Sequence, residues 1–345
     1  MSTSNEKKEV TIYDIAAALQ ISAATVSRGL KNHPAIKQAT KDRIFAQAER
    51  MGYRFNTFAR NLRTKRTYTI GVIVPRLNSM FMSDVIAGME KVSNEAGYEL
   101  IISQSLETME KEMKNAVTMF NNRVDGLLVS LAYTTTGIDH FKRFFDKNIP
   151  LIFFDRVFEH PNCPNIVINN YKAAYELTSY LIQQGARRIM HVAGNLNRNV
   201  YSQRFKGYRD ALLDNGIQFQ EGWLIVNNLS AEDGIHTAKH IYALTERPDA
   251  VFVANDTCAV ACMQELKRNG IYVPKDILVA GFNNDPIATV VEPNLTTVNY
   301  RGPEMGEMAA KTLINLLNGN GEQHTAATIM LRHELIIRDS TQRPQ

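Results

Sequence analysis

Between residues 59 and 67 the chain reads ARNLRTKRT, which sets Arg60, Arg63, Lys65 and Arg66 within seven positions around one leucine, Leu62. Guanidinium and ammonium groups at this density neutralise phosphates, and binding gains free energy from the counterions released. The charge distribution has the same polarity: residues 1–66 carry a balance of +8 and the remainder −4, beneath a net charge of +4. A basic head on a mildly acidic body implies that the head meets a polyanion. Upstream, Arg28 follows Ala23, Ala24 and Thr25 on one short segment. Its guanidinium can pair with guanine O6 and N7 in two hydrogen bonds, or with a phosphate. Thr11, Ser22, Thr25, Ser27 and Asn32 have side chains suited to capping helices or touching phosphates, which positions a protein without specifying sequence.

Three short helices must position these groups. Thr11 with Asp14 three residues on forms a capping box, and Ile12, Ile15, Ala16 and Leu19 then share one face. After a turn at Gln20 and Ile21, Ser22 caps a second helix, and a third runs from about Gln38 to Met51 and stops at Gly52. Two short helices joined by a tight turn and braced by a third make a helix-turn-helix unit, whose second helix enters the major groove of duplex DNA.

Other chemistries lack their residues. There is no glycine-rich phosphate loop, no GxSxG elbow and no metal-ligand spacing among the eight histidines, and GVIVPRLN lacks the GxGxxG of a dinucleotide fold. No enzyme, metal or cofactor is expected. No stretch approaches the roughly 18 apolar residues of a membrane span. Three cysteines, Cys163, Cys258 and Cys262, suit a reducing compartment, and the polar start MSTSNEKKEV is unlike a signal peptide. A cytoplasmic protein is expected.

From residue 68 apolar strands alternate with amphipathic helices: TIGVIV, ELIISQS, VDGLLVS, PLIFFD, RIMHVAG, AVFVAND and ILVAGFN. This alternation predicts doubly wound parallel sheets, and the length calls for two lobes.

VTIYDIAAALQISAATVSRGL, MGYRF and ARNLRTKRTYTIGVIVP closely resemble the start of LacI/GalR-family transcriptional regulators. The resemblance continues in order through VDGLLVS, PLIFFDR, GARRIMHVAG, RFKGYRDAL, VFVANDTCAVACMQELKRNGIYVPKDILVAGFNND and PNLTTV, over nearly the whole chain. It implies a helix-turn-helix DNA-binding domain at 1–55, a hinge helix at 56–67 and a two-lobed core like periplasmic sugar-binding proteins. The first lobe would take 68–168 and 301–325, the second 169–300 and 326–345. It implies a homodimer on a near-palindromic double-stranded DNA operator, with Leu62 wedging into the central base step and Arg60 and Arg63 beside flanking phosphates. An apolar wedge of this kind kinks DNA at a cost of a few kcal/mol; the other reading of Leu62 is a small hydrophobic contact within a linker. The family's base-reading positions fall on Ala23 and Ala24, with Arg28 one turn on.

The resemblance also implies an effector between the lobes, at the carboxyl ends of the strands. The matching positions are Phe81, which would stack on a ligand ring, Asp155, Arg156, Arg198, Arg204, Asn255, Asp256 and Asn283. Two alternatives stay open at this point: Asp256 as a helix cap and Arg204 as a structural brace. Asn283 and Asn169 stand where the family most often has acidic residues, and Tyr300 where it often has glutamine. A cleft short of acids but holding three arginines suits a carbohydrate effector, including an anionic sugar acid or sugar phosphate; a neutral sugar is the family default.

Overall fold

A computed structural model describes residues 10–53, 66–319 and 327–343. The chain divides into two compact units, residues 1–67 and 68–345. Arg60, Leu62 and Arg63 lie outside the described residues.

The head is built from α1 (Ile12–Leu19), α2 (Ala23–Leu30) and α3 (Gln38–Arg50). The Asp14 carboxylate accepts from both the backbone N–H and the hydroxyl of Thr11, each at 2.7 Å, so the first turn of α1 is closed locally. Gln20, at φ 53, ends the helix, and Ser22 accepts from the Thr25 N–H at 3.1 Å to begin the next. Ile15, Ala16, Val26, Leu30, Ile44 and Ala48 form the core that fixes the three helices.

The second unit contains two parallel sheets. Its first-lobe elements are β1 (Thr69–Val74), α4 (Met80–Glu95), β2 (Glu99–Gln104), α5 (Met109–Asn121), β3 (Gly126–Val129), α6 (Lys142–Asp146), β4 (Leu151–Phe154) and β5 (Asn165–Ile168). The second lobe follows with α7 (Asn170–Gln183), β6 (Ile189–Ala193), α8 (Asn199–Asp214), β7 (Leu224–Val226), α9 (Ala231–Ala243), β8 (Ala250–Val253), α10 (Asp256–Arg268), β9 (Leu278–Ala280) and α11 (Ile287–Val290). After β10 (Thr297–Asn299) the chain forms α12 (Gly302–Leu317), β11 (Thr328–Leu331) and β12 (Glu334–Ile336).

The first sheet has the order β11-β5-β4-β3-β1-β2, the second β7-β6-β8-β9, and β10 pairs antiparallel with β12. Both α/β sheets carry apolar runs buried on two faces, as parallel sheets covered by helices require. α12 returns to the first lobe, where it crosses α4 at close range. A Cβ on Gly306 would lie 1.9 Å from the Val85 carbonyl oxygen, and one on Gly88 2.1 Å from that of Pro303.

One assignment is corrected. Residues 326–345 do not belong whole to the second lobe, because Thr328–Leu331 pairs in parallel with Asn165–Ile168 and covers that edge of the first sheet. An unpaired strand edge invites pairing, and the returning chain supplies it. Only after Leu331 does the chain cross, with β12 joining β10.

Candidate functional site

In the head, α2 presents Ala24 and Arg28 to solvent. Ala23 instead packs half-buried against the head core, because it shares a helical face with the buried Val26 and Leu30. Asn32, at φ 55, accepts from Lys41 Nζ through its Oδ1 at 2.7 Å and so ties the end of α2 to α3. Thr11 and Ser22 are occupied as caps, the Thr25 hydroxyl lies 2.8 Å from that of Ser22, and Ser27 is half-buried.

In the body, parallel strands send all their carboxyl-terminal loops to the same edge of each sheet, and a ligand cleft belongs there. A cavity of about 300 Å³ lies at that edge, within the range of small-molecule sites. Phe81, Asp155, Arg156, Arg204, Asn255 and Asn283 line it. Four long helices, α4, α8, α9 and α10, begin at its walls, which places their N-terminal turns and positive dipole ends beside it.

Phe81 stacks on Tyr300, with ring centroids 4.4 Å apart and planes at 16°. The Tyr300 hydroxyl donates to Asp155 Oδ1 at 2.7 Å, and Asp155 itself holds a left-handed backbone, φ 57. Burial raises the Asp155 carboxyl above its usual range, against the opposing pull of Arg156 and the Tyr300 hydroxyl. Arg156 donates to Glu107 Oε2 at 2.7 Å and to the Tyr201 hydroxyl at 3.2 Å, while its guanidinium lies 4.2 Å from the Tyr133 ring centroid. Arg204 donates to Asn170 Oδ1 and to the Ala254 carbonyl, each at 2.9 Å, over the face of Phe282 at 3.5 Å. Two of its five N–H donors are engaged with the fold, so it braces the second lobe as well as facing the cavity.

Two expected ligand residues are placed elsewhere. Arg198 does not line the cavity; its guanidinium donates to the Thr135 carbonyl and so links the start of α8 to the first lobe. Asp256 is fully buried below the cavity, where it accepts from the Thr297 hydroxyl and from the Asp285 N–H, both at 2.7 Å. The cap of α10 is Asn255, which accepts from the Cys258 N–H at 2.8 Å. Asn169 similarly serves as the cap of α7, accepting from the Lys172 N–H at 2.9 Å.

The cleft is also not short of acids. Glu107 and Asp285 line it with Asp155, against Arg76, Arg156 and Arg204, so the formal charges of these groups balance. Burial, and then the neighbouring Asp256, push the Asp285 carboxyl up to about 7. Glu107 follows β2 at the same strand edge as the other candidates, so the strand-end rule that found Asp155 could have found it in SQSLET. Tyr133 and Tyr201 meet hydroxyl to hydroxyl at 3.0 Å, with no local sequence signal for that pairing.

Comparison with known proteins follows the same division. Residues 11–56 match the model of bacterial regulatory proteins of the lacI family, and residues 178–341 that of a periplasmic binding protein-like domain. The chain is 31% identical over 332 residues to the HTH-type transcriptional regulator RegA of Clostridium saccharobutylicum, covering 96% of this chain and 99% of that one. Two solved structures share the fold at 23% identity. One is the lac repressor dimer bound to operator and the anti-inducer ONPF, with a TM-score of 0.85 over 97% of this chain and 99% of that one. The other is the transcriptional regulator CelR–cellobiose complex, at 0.72 over 96% and 100%. A basic helix-turn-helix joined to a two-lobed binding core, matched along almost its full length by a transcriptional regulator, makes this chain a member of the LacI family of bacterial regulatory proteins.

Proposed function

We propose that this regulator binds a near-palindromic DNA operator as a homodimer and that a small carbohydrate held between its lobes alters that binding. The observation that carries the reading is the cavity itself. Its walls come from both lobes, Phe81, Glu107 and Asp155 from the first and Tyr201, Arg204, Asn255 and Asp285 from the second. A ligand touching both walls favours the closed arrangement by its differential affinity. The Phe81–Tyr300 stack offers an apolar face for a sugar ring, and the surrounding carboxylates and amides suit its hydroxyls. The neighbour solved with cellobiose has the same fold and supports this ligand class.

For DNA, exposed Arg28 on α2 is the base-reading candidate, with Ala24 beside it and Arg60, Leu62 and Arg63 assigned to the minor groove and flanking phosphates. One such helix reads only a few base pairs, so two copies on a two-fold site are needed for specificity. Edge strands β2 and β7 leave Ile102 and Val226 exposed and offer a face for a second copy; the related lac repressor binds its operator as a dimer. Selection from random duplexes by the full-length protein should recover a two-fold site. A sugar present at about 100 times its Kd should add roughly 2.7 kcal/mol of stability in a thermal-shift screen. Absence of an enriched site, or of any stabilising sugar, would overturn the corresponding half.

A further inference from the structure

After β9 the backbone makes a turn that favours asparagine or glycine. Asn283, at φ 117, and Asn284, at φ 60, are consecutive non-glycine residues in the left-handed half of conformational space. Such strain persists only where surrounding contacts over-determine it, and it concentrates at functional sites. Here the contacts are specific. Arg338 Nη2 donates to Asn284 Oδ1 at 2.7 Å, the Asn284 N–H donates to Thr297 Oγ1 at 3.3 Å, and the Asp285 N–H donates to Asp256 Oδ2 at 2.7 Å. Their joint result is to hold Asp285 at the cavity wall, hydrogen-bonded to the Asn283 side chain and only 7% exposed.

Electrostatics make this a costly placement. Buried Asp256 lies beneath Asp285, and Asp84 of α4 adds a further negative charge from the first lobe; the balancing cation, Arg338, acts on Asp256. Across the cavity the cations already have partners: Glu107 for Arg76 and Arg156, and Asn170 and the Ala254 carbonyl for Arg204. Among the described residues Asp285 has no such cation; it shares one side-chain hydrogen bond with Asn283 and lines the cavity. A buried carboxyl retained against strain and like charge marks a functional group.

The geometry points to Asp285 as the specificity-determining residue of the effector site, accepting hydrogen bonds from neighbouring hydroxyls of a neutral sugar and disfavouring sugar acids and sugar phosphates. The assignment rests on the reading of this cavity as a carbohydrate site.

Calorimetry on the full-length protein, with D-ribose, D-glucose, cellobiose, D-gluconate and glucose 6-phosphate as probes, tests it. A neutral sugar should bind the wild-type protein more tightly than its anionic derivative. Asp285→Asn should weaken the neutral sugar at least tenfold at pH 8 and narrow its advantage over the anionic derivative. The carboxylate is the better acceptor, so wild-type affinity should fall about tenfold from pH 8 to pH 6 as Asp285 takes up a proton. The Asp285→Asn variant should lose that dependence while melting no lower than wild type. Binding that is unchanged in the variant, or a preference for the anionic probe in wild type, would overturn the assignment alone. No binding of any probe by wild type would overturn the carbohydrate reading and the assignment with it.

Discussion

The two units keep their working groups in opposite ways. The head carries Arg28 and Ala24 on an exposed helix face, and its polar contacts are short in sequence, from caps such as Thr11–Asp14 and Ser22–Thr25 to the Asn32–Lys41 tie nine residues apart. The body buries its working groups and satisfies them over long sequence distances, as in Arg156 with Glu107 and Tyr300 with Asp155. A surface that meets DNA needs little prior organisation beyond the helix, since water and counterions yield to the phosphates. A site that recognises a small polar molecule must hold its donors and acceptors fixed before the ligand arrives. Substitutions should therefore separate recognition from stability in the head and entangle them in the body.

Breaking the Glu107–Arg156 pair should produce the largest effect. Glu107→Ala leaves a buried guanidinium without its carboxylate, a loss of about 3–5 kcal/mol for a pair of this kind. At about 2–4 °C per kcal/mol, the body should melt roughly 10 °C lower in a calorimetric scan. An unchanged melting temperature would mean that the cavity wall is not held by this pair.

The pH dependence of stability is the next largest. The folded pKa of Asp285 stands at about 7 and that of Asp256 at about 6, both above the ordinary carboxylate value, chiefly through burial. Between the ordinary value and these, the native state binds more protons than the unfolded one. The stability contribution is therefore complete at low pH and is lost as pH rises through about 7. Asp285→Asn should remove much of that slope and raise the melting temperature by on the order of 5 °C at pH 8, with the difference shrinking toward pH 4. Parallel profiles for variant and wild type would contradict this.

In the head, Arg28→Ala should cost about 1–3 kcal/mol on the selected duplex, relax preference at one symmetric guanine and leave the melting temperature alone. Equal losses on selected and scrambled duplexes in a gel-shift titration would make Arg28 a phosphate contact. Smallest, Asp14→Ala should weaken α1 by about 1 kcal/mol through loss of the capping box. Hydrogen exchange of the α1 amides would report it as faster opening, and unchanged exchange would show that packing alone holds the helix.

The same contrast decided what could be read without coordinates. Helix starts at Thr11 and Ser22, the face carrying Ile15 and Ala16, and the apolar strands of both lobes depend on neighbours a few residues away. The lacI-family signal along the chain supplied their order. The half-burial of Ala23 depends on which helical face meets the core, and only hydrogen-bonding partners fix the sheet to which the short strand β11 belongs. In the cleft, sequence position identified loops at strand ends but not side-chain direction. Arg198 precedes α8 and Asp256 begins α10 just past such strand ends, yet they turn to Thr135 and Thr297. Glu107 stands at a strand end, within reach of the rule that found Asp155, and its pairing with Arg156 is what the sequence does not show; Asp285 draws its importance from its neighbour in space, Asp256.

The most direct test joins the two regions in one titration. Fluorescence anisotropy of the selected duplex should be followed against the full-length protein, with and without a saturating concentration of the neutral sugar that stabilises it most. Coupling between cavity and DNA should change the DNA affinity by about 1–3 kcal/mol, or roughly 5- to 150-fold, and the operator should change the sugar affinity by the same factor. An affinity for DNA that is the same with the cavity saturated and unsaturated would contradict effector control.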